Sequence, residues 1–187
     1  MQIQVVGLHS PQLTPDQLSG AVLQAVEALE QAGHTVQGRC TCQLDQLAQA
    51  ISPALAQGQA AVVLGGACID PVVRRALEGW LKLPWVFDPA TDRRVRAAYE
   101  KAGRQLPPAA QLLARFPQGA TILPGVRSIL PGCAFPALGG VLALLPARPE
   151  EFLPMLQRGL LPLWQAPQAR PEPQPAPTGC SRLVNAW

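Results

Sequence analysis

Apolar and polar positions alternate from Ile3 to Val6 and the pattern stops at Gly7, which predicts a first strand. Thr14-Pro15-Asp16-Gln17 then has the form of a capping box with proline at the first helical position. Leu18, Val22, Val26 and Leu29 follow at near-helical spacing, with Ala21, Ala25 and Ala28 beside them, and Gly33 closes that helix. Residues 34–39 read as a second strand. Leu44, Leu47, Ala48, Ile51 and Leu55 share one face of a helix over 44–55, which Pro53 should kink or shorten. Residues 60–64 form a short apolar run, the pattern of a strand buried on both faces. Gly65 and Gly66 end it, Asp70 suits an N-cap and Pro71 the first position of a third helix. Strand and helix thus alternate three times, which implies a three-layer α/β/α fold with a mostly parallel sheet.

Further on, residues 83–87 form a short extended piece, Asp88-Pro89 starts a helix that Gly103 ends, and Pro107-Pro108 opens a short helix to about Arg115. Residues 117–136 are rich in proline and glycine and read as loops with short hairpin strands at 121–123 and 128–130. Residues 139–145 read as a buried strand, and Pro149 begins a last helix with Glu150 and Glu151 in its first turn, where the dipole favours them. The folded domain is expected to cover residues 1–164. From Gln165 onward proline alternates with Gln, Ala, Glu and Arg, the composition of a flexible, polyproline-like tail over 165–187. Its end, Leu183-Val184-Asn185-Ala186-Trp187, is apolar again and leaves open docking on the domain, docking on a partner, or fraying.

Composition narrows the function classes. Of 187 residues 48% are hydrophobic and 14% charged, enough for one domain with a full core. A net charge of +3 does not point to nucleic acid. The cluster of Arg93, Arg94, Arg96, Lys101 and Arg104 is interspersed with Asp92 and Glu100 and reads as a solvated helix face. The start has no basic leader before a long apolar core, and the longest apolar run, 138–145, is far short of a membrane span of about 20 residues. Five cysteines argue against a closed disulfide framework and for a reducing compartment, the cytoplasm.

Several residues carry candidate chemistry. A strand, a glycine turn and a helix start together form the local unit from which α/β proteins build anion sites, because free N–H groups and the helix dipole converge there. Gly65, Gly66 and Asp70 are therefore ligand-binding candidates, with an ordinary tight turn as the alternative. Cys40, Cys42 and Cys68, with His9 or His34, could supply metal ligands, and Cys40 with Cys42 a redox pair, but one residue between two thiols is not the usual zinc spacing, no second pair exists, and cysteine is commonly a buried structural residue, which is the favoured reading. No metal site is assigned. His9 follows the first strand and with Asp70 could form an acid–base pair; a solvated loop histidine is the alternative. His34, just past a helix end, is expected to favour the negative pole of that dipole. Trp80, Trp85 and Trp164 read as core or interface anchors, and Cys133 and Cys180 as structural.

The order of elements and one segment carry a resemblance. Leu145-Pro146-Ala147-Arg148-Pro149-Glu150-Glu151-Phe152-Leu153-Pro154-Met155 follows a buried strand. It resembles the Leu-Pro-Gly-x-Pro-x-Glu-x-x-x-Met segment of the molybdopterin-binding fold, coinciding at Leu145, Pro146, Pro149, Glu151 and Met155. Gly65-Gly66 matches the Thr-Gly-Gly turn of the same fold, and Leu130-Pro131-Gly132-Cys133-Ala134 stands where it has Pro-Asn-x-x-Gly-x-Ala. That fold is shared by the amino-terminal domain of competence/damage-inducible protein A, the molybdopterin adenylyltransferases and gephyrin-like proteins, and the likeness is greatest to the first. The resemblance covers residues 1–164. It implies a site at Gly65, Gly66, Asp70, Pro146 and Glu151 for a nucleotide- or pterin-phosphate ligand such as molybdopterin, and a homo-oligomer.

The departures from the pattern alter the chemistry it implies. The pattern continues past its double glycine with another glycine, a threonine and aspartates; here Cys68, Ile69, Asp70, Pro71, Val72 and Val73 follow. Valine can neither ligate Mg²⁺ nor act as a base. The acid of the pattern's first loop is missing from Gly7-Leu8-His9-Ser10, and that of its second helix falls near Gln43, with Asp45 the nearest carboxylate. The expectation is a kept fold with a binding role for a phosphate-bearing ligand or a partner protein, and no nucleic acid or membrane partner. The alternatives are an active Mg²⁺-dependent nucleotide pyrophosphatase or molybdopterin adenylyltransferase using Asp45, Asp70, His9 or Glu151, and an interaction protein acting through its tail.

Overall fold

The computed structural model of the chain describes residues 1–10, 13–65, 70–125 and 128–165. Gly66, Cys68 and the Pro-rich segment with Cys180 and Trp187 lie outside the described residues, so the expectations attached to them stay with the sequence. Strand β1 (Gln2–Leu8) leads through helix α1 (Pro15–Gln31) to β2 (Thr35–Cys42), and α2 (Leu44–Ala56) leads back to β3 (Ala60–Leu64) on the far side of β1. β8 (Gly140–Leu145) lies parallel to β3, and β7 (Gly132–Ala137) and β6 (Thr121–Leu123) extend the sheet antiparallel. Among the described residues this sheet has the order β2-β1-β3-β8-β7-β6. The chain moves outward from β1 to β2, then returns to β3 on the opposite side. In such sheets the crevice beyond the carboxyl ends, where the direction reverses, is where ligands bind.

The local signals explain the elements. Thr14 Oγ1 accepts a hydrogen bond from the Gln17 N–H at 3.3 Å while Gln17 Oε1 accepts from the Thr14 N–H at 3.0 Å, a closed capping box. Gly33 supplies the left-handed residue after α1 at φ +83°. α1 buries Ala21, Val22, Ala25, Val26 and Leu29 against Ile3 and Val5 of β1. The opposite face of the sheet, with Val6 and Leu8, receives Leu47, Ile51 and Leu55 of α2 and Val73 and Leu77 of α3 (Pro71–Leu81). β3 is buried along its whole length, as its unbroken apolar run predicts.

β4 (Trp85–Phe87) and β5 (Arg115–Pro117) pair separately as a small antiparallel ribbon. Between them run α4 (Pro89–Lys101), capped by the Asp88 carboxylate on the Thr91 N–H at 2.7 Å, and a 3₁₀ segment, Pro108–Ala114. The basic face of α4 is solvated, with Arg96 bonded to Asp92 at 2.6 Å. No helix among the described residues is long and apolar enough to cross a membrane.

Three expectations are corrected. Pro53 does not shorten α2: the proline is exposed and forgoes one bond near the helix end, and the helix runs on to Ala56. Residues 128–130 are not a strand; Ile129 and Leu130 pack instead with Val95, Ala110 and Leu113 under α4. The second hairpin partner is β7, whose Cys133, Ala134 and Phe135 are all buried, so no alternation marks it. Its Pro136 is tolerated because β6 pairs only with 132–134, which leaves β7 an edge at that point. His34 does not serve the dipole as a cation: its ring nitrogens are buried with no hydrogen-bond partner among the described residues, and burial pushes the imidazole below its ordinary range. The last helix starts at Pro149 as expected. α5 (Pro149–Met155) continues through a wide π turn, Leu156–Leu160, into α6 (Leu161–Gln165).

Candidate functional site at the carboxyl edge of the sheet

The four parallel strands end side by side, and each end is followed by one or two of the residues singled out in the sequence. Asp45 follows β2, His9 follows β1, Gly65 and Asp70 follow β3, and Pro146 and Glu151 follow β8. With neighbouring strands about 4.8 Å apart, the edge from β2 to β8 spans roughly 15 Å, the length of a small ligand rather than of one reacting centre. His9 is held by its backbone, whose N–H donates to the Cys42 carbonyl at 3.0 Å and extends the β1–β2 ladder by one rung. The Asp70 carboxylate accepts the Val72 N–H at 2.7 Å as the N-cap of α3. No hydrogen bond joins Asp70 to His9 among the described residues. Asp45 is exposed in the first turn of α2.

Gly65 is closed in by the protein's own backbone. Gly65 has φ +109°, and a Cβ there would stand 2.7 Å from the Leu8 carbonyl oxygen. Its N–H donates to the Leu145 carbonyl at 3.0 Å, so this donor is already used. Beyond it, the first turn of α3 places Val72 in solvent and Val73 in the core. Two adjacent valines at the place of the pattern's carboxylates offer a divalent cation no oxygen ligand.

The β8–α5 loop is arranged differently. Pro146 and Ala147 are buried, and the chain turns outward at Arg148, the N-cap residue of α5, whose side chain is exposed and caps nothing. The Arg148 carbonyl accepts the N–H groups of Glu151 and Phe152 at 2.9 and 3.0 Å. Phe152 is fully buried and pins the loop to the core. Beside this loop lies a cleft of about 450 Å³, within the range of small-molecule sites. One wall is the stripe Gln17, Gly20, Ala21 and Gln24 on α1, at helical spacing; the other runs from Ala147 to Glu150. Gly20 has no atom within 4 Å of where its Cβ would be, so the wall is open at its middle.

Sequence reasoning passed over Gln17, Gly20, Gln24 and Arg148. The signal was present: a glycine inside an otherwise strong helical pattern, flanked one turn either way by glutamines. Arg74 was also missed. It sits on the buried side of α3, donates to the carbonyls of Leu112 and Arg115 at 2.7 and 3.0 Å, and lies 4.7 Å from the centre of the Trp85 ring. It ties the small ribbon to α3, a structural task.

Cys40 and Cys42 share one face of β2 in register with Val6 and Leu8. Burial pushes both thiols up, Cys42 to about 11, with Cys40 and Asp45 adding to the effect there. Neutral thiols at physiological pH are poor nucleophiles and poor ligands, and their place against the α2 side of the sheet is that of core residues.

The two sequence segments that match the molybdopterin-binding pattern meet in space. A Cβ on Gly132 would come within 2.8 Å of a Leu145 methyl and 3.2 Å of the Met155 sulfur. The shared glycine, leucine and methionine therefore form one close-packed joint between β7, β8 and α5.

No protein-family model matches the chain. It is similar to a competence-damage inducible protein of Moorella thermoacetica, 34% identical over 131 residues, covering 69% of this chain and 32% of that protein. It is 26% identical over 166 residues to a CinA-like protein of Solibacter usitatus, covering 87% of this chain and 40% of that one. The chain thus spans well under half the length of these curated relatives. In fold it overlays the crystal structure of the protein CinA from Thermoplasma acidophilum with a TM-score of 0.70 at 17% identity, covering 84% of this chain and 96% of that one.

Proposed function

We propose that this chain, which belongs to the CinA-like family of the molybdopterin-binding fold, holds a small phosphate-bearing ligand, a nucleotide or a pterin, without turning it over. The ligand lies along the carboxyl edge, in the cleft between α1 and the β8–α5 loop. Gln24 offers an amide donor and acceptor to a ring edge, Gln17 adds its Nε2 donor while its Oε1 stays in the capping box, and Arg148 offers a guanidinium that caps nothing to phosphate. Pro146 and Glu151 set the loop that carries Arg148. Asp70, one strand over, caps α3 and stands outside that cleft. The setting is the cytoplasm, which the neutral, unbridged thiols of Cys40 and Cys42 support.

The observation that carries the reading is the contrast at that edge. The cleft is open, while the first turn of α3 carries Val72 and Val73 where the pattern's carboxylates would hold Mg²⁺. The valine side chains do not fit that metal.

The test is incubation with ADP-ribose, and separately with molybdopterin and ATP, each with Mg²⁺, with products assayed by chromatography. The expected result is no product, together with saturable binding of one of these ligands. Turnover that Asp70→Asn abolishes would establish an enzyme instead. Asparagine caps a helix nearly as well as aspartate, so that variant removes the charge and keeps the fold.

A further inference from the structure

At the opposite end of the sheet from the cleft, the His34 ring meets the Trp164 ring edge-on, with centroids 5.8 Å apart and planes at 88°. His34 lies between Gly33, which closes α1, and β2, and Thr35 bonds back to the Met1 carbonyl at 3.0 Å. Trp164 belongs to α6, the last described helix, and packs against the core cluster of the α1 face. Neither His34 nitrogen has a hydrogen-bond partner among the described residues, and both are buried. A neutral imidazole leaves one donor and one acceptor unmet in this position. An imidazolium would bury a charge and two unmet donors, which costs far more.

We propose that His34 and Trp164 form an acid-sensitive latch, which holds α6 against the sheet at neutral pH and lets it go when the imidazole is protonated. The surrounding charges favour the closed, neutral form. α6 and β8 carry no ionisable side chain. Glu27 and Glu30 on α1 are exposed, as are Arg39 on β2, Glu150 on α5 and Arg158 on the π turn, and Glu151 is half-buried. Of the charged groups nearby, the Met1 ammonium is the one that acts on the ring, and its like charge opposes protonation alongside burial.

The sign follows from linkage. A histidine whose folded pKa lies below its ordinary 6.5 stabilises the closed form fully above that pH. The contribution is lost as pH falls through the folded value. Release would also widen an apolar groove of about 580 Å³ that Leu163 and Trp164 line together with Thr121, Ala134, Pro136 and Val141.

The test is an NMR titration of the full chain from pH 7.5 to pH 4.5, following the His34 ring and the Trp164 indole N–H. The expected result is a His34 midpoint below 6.5 and a Trp164 shift with the same midpoint, while the Trp80 and Trp85 indoles keep their folded positions. In His34→Phe, which keeps an aromatic ring without a titrating group, the Trp164 step should vanish. A His34 midpoint at or above 6.5, a Trp164 signal that ignores it, or the same step in His34→Phe would overturn the latch.

Discussion

Two neighbouring strand ends solve the same problem in opposite ways. After β3 the chain passes Gly65 and enters α3 through Asp70 and Pro71; after β8 it passes Pro146 and enters α5 through Arg148 and Pro149. Both helices place proline at the first position. After β3 two of the described donors are used locally, Gly65 N–H by Leu145 and Val72 N–H by Asp70, and α3 carries two valines in its first turn. After β8 the cap residue makes no side-chain cap bond and lines a cleft. A glycine turn that looks like a ligand cradle in the sequence is, for Gly65, a requirement of the fold. The proline loop beside it is where the molecule keeps space and unspent polar groups.

The comparison can be broken first by loosening the loop after β8. Phe152→Ala empties a fully buried site at the start of α5 and should cost about 3–5 kcal/mol in urea unfolding. A loss under 1 kcal/mol would mean that the core does not hold this loop. Next comes the turn after β3. Gly65→Ala forces a side chain into a left-handed position against the Leu8 carbonyl and should cost roughly 2 kcal/mol or more, with or without ligand present. If it instead left stability intact and abolished ligand binding alone, Gly65 would be a binding residue and not a structural one. The smallest effect is at the cap. Asp70→Ala should cost about 1 kcal/mol, and Asp70→Asn a few tenths at most. Equal losses in the two variants would show that the Asp70 charge, and not its bond to Val72, is what α3 needs.

Much of this fold was legible because local and tertiary demands agree in it. The capping box at Thr14, the uniformly apolar β3 and the Asp-Pro helix starts each state in sequence what the structure then does. β7 was not legible, because burial on both faces removes the alternation and Pro136 looks like a break until one knows that β6 is short. The resemblance to the molybdopterin-binding pattern survived divergence where Gly132, Leu145 and Met155 touch, since a packing joint constrains size and shape at once. The cleft was hidden for a different reason. Its walls are ordinary surface residues of two distant segments, and only the tertiary structure brings Gln17 and Gln24 opposite Arg148.

Amide chemical-shift mapping with ADP-ribose, on the wild-type chain and on Gly20→Leu, tests the placement of the ligand most directly. Leucine at position 20 enters open space, strengthens the helix by about 1 kcal/mol and fills the middle of the cleft wall, so lost binding cannot be lost folding. The account predicts perturbation of Gln17, Gly20, Gln24 and 147–150 in the wild type, and none in the variant. Perturbations confined to 65–73, or undiminished by the leucine, would contradict it.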